Sequence, residues 1–221
     1  MGSPLNKSDD LVPPEGMYEA CRVAAKRIKY KGGLEWDWSE LFAQAPDPGF
    51  EALVKGYLAI VLEKPEPLRG WKLPETTLVY PWIIKMFPEA KYILWYRDPR
   101  DNILGGHMTD DLADFGVPYG LNQVPSPTPL PEGEGMLKRA ISWYYQWLLV
   151  KTTPAPAHSI TVRFEDFVLK QEETLLRLED FLGFRLARIP VKPERVAVWK
   201  SDPRHRDFDF LGEPLKELGY L

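Results

Sequence analysis

A short apolar run, Lys91-Tyr92-Ile93-Leu94-Trp95-Tyr96, breaks off into Arg97-Asp98-Pro99-Arg100-Asp101, and this junction constrains the fold more than any other stretch of the 221-residue chain. An uninterrupted apolar, β-rich run of this length predicts a buried parallel strand. Charge and proline following at once predict that the strand delivers a turn to one edge of a sheet, where open α/β sheets bind ligands. Two arginines three residues apart at such an edge suit an anion such as phosphate, because guanidinium donates a fixed fork of hydrogen bonds. Pairing with Asp98 or Asp101 is the alternative use of these arginines, and pattern alone leaves the two readings level.

The rest of the chain alternates helix and strand signals around that junction. Residues 1–14 are polar and proline-bearing and read as loop. A helix is predicted from Pro14-Glu15 through Tyr30, with Met17, Cys21, Val23, Ala24 and Ile28 as its apolar stripe and Gly32-Gly33 as its end. Trp36-Asp37-Trp38 reads as a connector whose rings pack on the core. A second helix is predicted over 48–63, a short strand over 68–73, and a helix over 76–87 capped by a threonine. Pro81 either kinks that helix or marks its first turn.

Pro99 opens a further helix whose first N–H groups and positive dipole end face the same site as Arg97. Gly105-Gly106 weakens it, and His107 follows at once. Residues 118–135, with five prolines and three glycines, predict a mobile surface loop. Beyond it come a helix over 136–151 with Ile141, Trp143, Tyr144, Trp147, Leu148 and Leu149 on its apolar face, a strand over 159–164, an amphipathic helix over 169–182 closed by Gly183, and a last short helix over 214–218.

Composition narrows the function classes. With 44% hydrophobic residues the chain buries one large core, so a single domain over 1–221 is the expected count. A formal charge of −4 and a pI near 5.5 argue against a nucleic-acid partner. No apolar run reaches the length of a membrane span. The single Cys21 forms no internal disulfide, which makes a reducing cytoplasm the expected compartment. His107, His158 and His205 are scattered, with no metal-ligand spacing.

The charged junction and the helix after it look like the second nucleotide-binding element of the sulfotransferase family, which uses the donor 3′-phosphoadenylyl sulfate (PAPS). Trp71-Lys72-Leu73-Pro74 resembles that family's Lys-x-Pro element, and Phe87-Pro88-Glu89-Ala90-Lys91-Tyr92 resembles the lead-in to its strand. Val162-Arg163-Phe164-Glu165-Asp166-Phe167, with Thr174-Leu175 and Phe181-Leu182-Gly183, is similar to a third segment. Val196-Ala197-Val198-Trp199-Lys200 resembles the C-terminal element that closes over the nucleotide. The motifs keep the family's order from about residue 68 onward.

The resemblance implies an α/β fold of the three-layer P-loop-NTPase-like kind, with a central parallel sheet flanked by helices. It implies sulfuryl transfer from PAPS, without a metal, to a small-molecule, glycan or peptide acceptor. Arg97 would hold the donor's 3′-phosphate. Gly105 stands where the family usually places a serine on that phosphate, and Trp199 and Lys200 would close over the nucleotide. Lys72 would stabilise the leaving oxygen, and the general base lies among Glu75, His107, Asp110 and Asp111.

One departure is large. The family opens with a strand and a Gly/Pro-Arg-Ser-Gly-Thr loop that cradles the 5′-phosphosulfate, and neither is found; residues 5–14 resemble the segment that follows them. A missing central strand would leave neighbouring strand edges exposed. A non-catalytic binding or interaction module of the same fold is therefore the second reading. An ATP-dependent P-loop kinase is disfavoured by the absence of Gly-x-x-x-x-Gly-Lys-Ser/Thr.

Overall fold

The structure, a computed structural model, describes residues 15–125 and 134–221. The N-terminal loop over 1–14 and residues 126–133 of the proline-rich loop lie outside the described residues. Two compact units make up the chain. The first takes the described residues up to Phe87 with His107–Val124 and Tyr145–Pro154; the second takes Pro88–Gly106, Ala155–Leu221 and the described residues from Pro125 to Tyr144.

The first unit is helical with a small hairpin. Helix α1 (Glu15–Ala25) packs on α3 (Pro48–Tyr57), with Met17, Ala20, Cys21, Ala24, Phe50 and Val54 buried. Spacings of three and four residues put those α1 side chains on one face. The helix predicted through Tyr30 stops earlier. Strands β1 (Lys29–Gly32) and β2 (Glu35–Asp37) form an antiparallel hairpin instead. The reason lies in Gly32 and Gly33, whose φ values of 108° and 55° suit a tight reversal and not a helix end alone. Trp36, expected in a connector, is thereby a strand residue, its ring edge-on to Tyr145 at 5.1 Å.

Short helices α2 (Ser39–Ala43) and α4 (Ala59–Leu62) flank α3, whose break at Leu58 divides the single helix expected over 48–63. Asp47 caps α3 through Gly49 N–H at 2.8 Å, with Pro48 in the first turn. No ladder forms over 68–73, where a strand was expected. Leu68 is exposed there, and a strand without a neighbour to receive its backbone bonds gains nothing from extension.

Pro74–Val79 is a 3₁₀ turn, followed by α5 (Tyr80–Met86) with Pro81 in its first turn, as one of the two expectations had it. No threonine caps it. The Lys85 ammonium donates to the carbonyls of Leu41, Phe42 and Gln44 at 2.6–2.9 Å, closing the C-terminal end of α2. Pro118, at the start of the proline-rich loop, accepts from the Trp36 indole at 2.7 Å.

In the second unit β3 (Tyr92–Tyr96) pairs in parallel with β4 (Ser159–Arg163), in the register Tyr92↔Ser159 to Tyr96↔Arg163. Parallel strands need a long crossover, and the intervening chain supplies α6 (Pro99–Asn102) and α7 (Gly135–Thr152), the latter divided between the units. Helices α8 (Phe164–Leu169) and α9 (Gln171–Leu182) cover β4, burying Val162, Phe167, Val168, Leu175 and Leu178. Gly183 ends α9 at φ 86°, and Lys91 Nζ donates to the Phe181 and Leu182 carbonyls.

One expectation is corrected here. The β3 strand is parallel but not buried: Ile93 and Trp95 are 40% and 39% exposed. The α8–α9 layer is centred on β4, and Trp95 meets it at Phe167, ring to ring at 5.1 Å. The parallel sheet is also two strands wide among the described residues. The α/β character therefore stands on a parallel pair with helices against it.

Candidate functional site

Strand β3 ends at Tyr96, and the charged turn begins at the next residue. The Asp98 carboxylate caps α6 through Arg100 N–H at 2.9 Å and holds the Arg100 guanidinium bidentately, Nε at 3.0 Å and Nη2 at 2.8 Å. Asp98's own N–H donates to Glu165 Oε1 at 2.9 Å. Arg100 lies 4.0 Å from the Trp199 ring centroid, a cation–π contact. Of the two arginines, Arg100 is thus a structural ion pair, the alternative the sequence left open.

Arg97 is placed differently. Its Nη2 donates to the Arg195 carbonyl at 2.9 Å and makes a long 3.4 Å contact with Asp101 Oδ2, and its guanidinium lies 4.9 Å from the Phe164 ring centroid. Its Nε has no hydrogen-bond partner among the described residues. The side chain stays 31% exposed at the strand end. That Nε is itself buried, so the exposed part of the side chain lies elsewhere than at the unpartnered donor.

Asp101, buried with its side chain fully enclosed, gathers the rest of this site. Oδ2 accepts Ala197 N–H and Oδ1 accepts Trp199 N–H, each at 2.9 Å. The 196–200 segment is thereby seated on the charged turn, with Ala197 in the left-handed region at φ 57°. Arg97 and the Trp199 backbone share the Asp101 carboxylate, which puts the strand-end arginine and the 196–200 segment in one neighbourhood. Trp199 is in contact with both Arg100 and His205, whose tilted ring lies at 4.9 Å, and the exposed Lys200 has its ammonium 5.8 Å from the indole.

Gly105 lies past the end of α6, which is one turn long and not the extended helix expected. So short a helix carries little macrodipole, and the Arg100 N–H in its first turn is already bonded to Asp98. A Cβ built at Gly105 meets nothing within 4 Å, so the backbone there is sterically open.

The three catalytic candidates fall in the first unit. Glu75, at the start of the 3₁₀ turn, is fully buried, and no other residue among those described donates to its carboxylate. Burial raises its pKa, opposed by its own backbone N–H and by the charge of Lys72. His107 is held lower than usual, first by burial and then by the same Lys72, with Asp110 acting against both. Its Nδ1 faces the Thr109 hydroxyl at 3.3 Å and its N–H donates to Asp110 Oδ2 at 2.6 Å. Lys72, itself exposed, thus sits within electrostatic reach of both Glu75 and His107. Asp111 is turned to other work, capping the next 3₁₀ turn through Ala113 N–H and accepting from Tyr119.

Three residues of the strand-end site were not singled out by sequence reasoning: Asp101 as the anchor of 196–200, Glu165 as acceptor for Asp98, and Tyr220, whose hydroxyl donates to Glu165 at 2.9 Å. In the sequence Glu165 stands out only as a member of the third family-like segment. A Gly-Tyr pair just past the last helix was the one signal available for Tyr220.

The strand-end turn, with a parallel partner strand that runs into Phe164-Glu165 at the start of α8, belongs to a protein of the α/β class. The model of the sulfotransferase family matches residues 17–188, and the chain belongs to that family. The match takes in Lys72, Glu75, Arg97, Gly105 and His107 and ends before Trp199 and Lys200. No curated protein and no solved structure matches the chain. Among the described residues no cluster of histidine, cysteine or carboxylate side chains is placed to hold a metal, and no helix is long and apolar enough to cross a membrane.

Proposed function

We propose that the chain is a PAPS-dependent sulfotransferase acting in the cytoplasm on a hydroxyl or amine acceptor, as one domain of the three-layer P-loop-like kind. The observation carrying this reading is Arg97: at the carboxyl end of a parallel strand, its side chain part exposed, and its one carboxylate contact among the described residues a long one. Those residues fit a phosphate. Arg97 would take the donor's 3′-phosphate with the backbone at Gly105 in place of a hydroxyl, and Trp199 and Lys200 would flank the nucleotide. The donor, when bound, supplies an activated sulfuryl group on a phosphate leaving group.

The chain's own residues supply the rest. Lys72 offers positive charge to the leaving oxygen, a task that needs a cation and no metal. Glu75, with its raised pKa, or His107, with its lowered one, removes the acceptor's proton in line with attack. The acceptor is a small molecule, glycan or peptide. Thermal shift with 3′,5′-adenosine bisphosphate tests the reading: stabilisation in the wild type that disappears in Arg97→Ala supports it, and no shift at saturating ligand overturns it.

The second reading, a non-catalytic binding module, is favoured by the enclosure of Glu75, which keeps its carboxylate out of an acceptor's reach as it stands. Nucleotide binding without turnover on any acceptor would be its mark.

A further inference from the structure

The segment Leu218–Tyr220 is built into the strand-end site by a set of contacts that the nucleotide reading does not use. Helix α10 (Gly212–Glu217) ends in a Schellman pair, Tyr220 N–H to the Leu215 carbonyl at 2.8 Å and Gly219 N–H to the Lys216 carbonyl at 3.1 Å. Gly219 adopts φ 71°, and a Cβ there would lie 3.0 Å from Arg163 Nη1. Only glycine allows both the reversal and this approach. Arg163 then donates to the Leu218 and Gly219 carbonyls at 3.1 and 2.7 Å, with its guanidinium 5.1 Å from the centre of the Tyr220 ring.

Tyr220 closes a ring of polar contacts. Its hydroxyl donates to Glu165 Oε2 at 2.9 Å, and Glu165 Oε1 accepts Asp98 N–H at 2.9 Å. The Asp98 carboxylate binds Arg100, and Arg100 Nη2 returns to the Tyr220 carbonyl at 3.0 Å. Glu165 and Asp98 are buried and Arg100 nearly so, which strengthens charge-assisted bonds and makes their orientation sharp. The Asp98 N–H belongs to the peptide joining Arg97 to Asp98. Glu165 fixes the plane of that peptide, and Tyr220 fixes Glu165.

We propose that Tyr220 is a positioning residue for Arg97, setting through Glu165 and the 97–98 peptide the direction in which the guanidinium leaves the strand end. The proposal rests on the nucleotide-binding reading for its consequence, not for its geometry.

Two measurements on the full chain at 10 °C test it. Calorimetric titration with 3′,5′-adenosine bisphosphate should show Tyr220→Phe binding five- to tenfold more weakly than wild type while circular dichroism is unchanged, because phenylalanine keeps the ring over Arg163. Glu165→Gln should weaken it similarly, and the double variant should lose little more than the weaker single, as members of one ring do. A residue that only stabilised the fold would lower Tm and leave the affinity of folded protein alone.

In the ligand-free protein, the Asp98 amide and Arg97 Nε–H signals, the latter identified by their absence in Arg97→Ala, should shift and broaden in Tyr220→Phe. Unchanged signals overturn the proposal, as does unchanged affinity in Tyr220→Phe where Arg97→Ala abolishes binding. If the wild type binds no bisphosphate, the nucleotide reading falls, and the Arg97 and Asp98 signals alone decide the positioning claim.

Discussion

The backbone N–H of Trp199 donates to Asp101 Oδ1 at 2.9 Å, and through this bond a segment near the end of the chain is seated on the turn that follows β3. Ala197 N–H takes the other oxygen, so one buried carboxylate satisfies two amides and meets the Arg97 guanidinium. The site at the strand end is therefore held by a side chain that offers nothing to solvent.

Removing that carboxylate strands two amide donors. Asp101→Ala is expected to cost about 3 kcal/mol, the desolvation penalty of two unpaired buried groups. Asp101→Asn, which keeps one acceptor, should cost about half. Urea denaturation measures the loss, and hydrogen exchange at Ala197 and Trp199 should quicken first, since local opening precedes global unfolding.

Ala197 holds φ 57°, a conformation that a Cβ disfavours. Ala197→Gly should raise stability by about 0.5–1 kcal/mol, the relief exceeding glycine's extra entropy in the unfolded chain. A lower Tm for this variant would contradict the conformation described.

Glu75 makes stability depend on pH. Its folded pKa is raised, so the stability tied to its neutral form is complete below the ordinary glutamate value near 4.3 and is lost as pH rises through the raised value. Glu75→Gln removes that loss. The variant should match wild type near pH 4 and exceed it by about 1–2 kcal/mol at pH 8. Denaturant midpoints taken across that interval check the sign.

The Cys21 thiol is buried, donates weakly to the Glu75 carbonyl at 3.6 Å, and has its pKa pushed far above the usual thiol range, chiefly by desolvation. Native protein at pH 8 should resist iodoacetamide for hours and react within minutes in urea. Labelling at the rate of a free thiol would show that α1 opens under native conditions.

Gly105 faces open space, so Gly105→Ser should fold with stability unchanged to within about 0.5 kcal/mol. With a hydroxyl restored where the family usually has one, binding of 3′,5′-adenosine bisphosphate should tighten several-fold. Weaker binding would place the phosphate elsewhere.

Much was legible before any coordinates. The amphipathic faces of α1, α3 and α9, the strand at Tyr92–Tyr96, the strand at Ser159–Arg163 and the αL cap at Gly183 all follow from local spacing and turn chemistry, which act over a few residues. The hairpin at Lys29–Asp37 escaped because its glycine pair serves equally to end a helix. The strand expected over 68–73 failed because a strand exists only where another lies beside it.

Membership in the sulfotransferase family was legible in the order of side chains along the chain, since motif spacing is a one-dimensional property. How the two arginines are used was decided only in three dimensions: Arg100 is consumed by Asp98, Trp199 and Tyr220, while Arg97 stays part exposed. Partners drawn from residues a hundred positions away carry no signature in local sequence, because hydrogen bonds depend on where the folded backbone brings them.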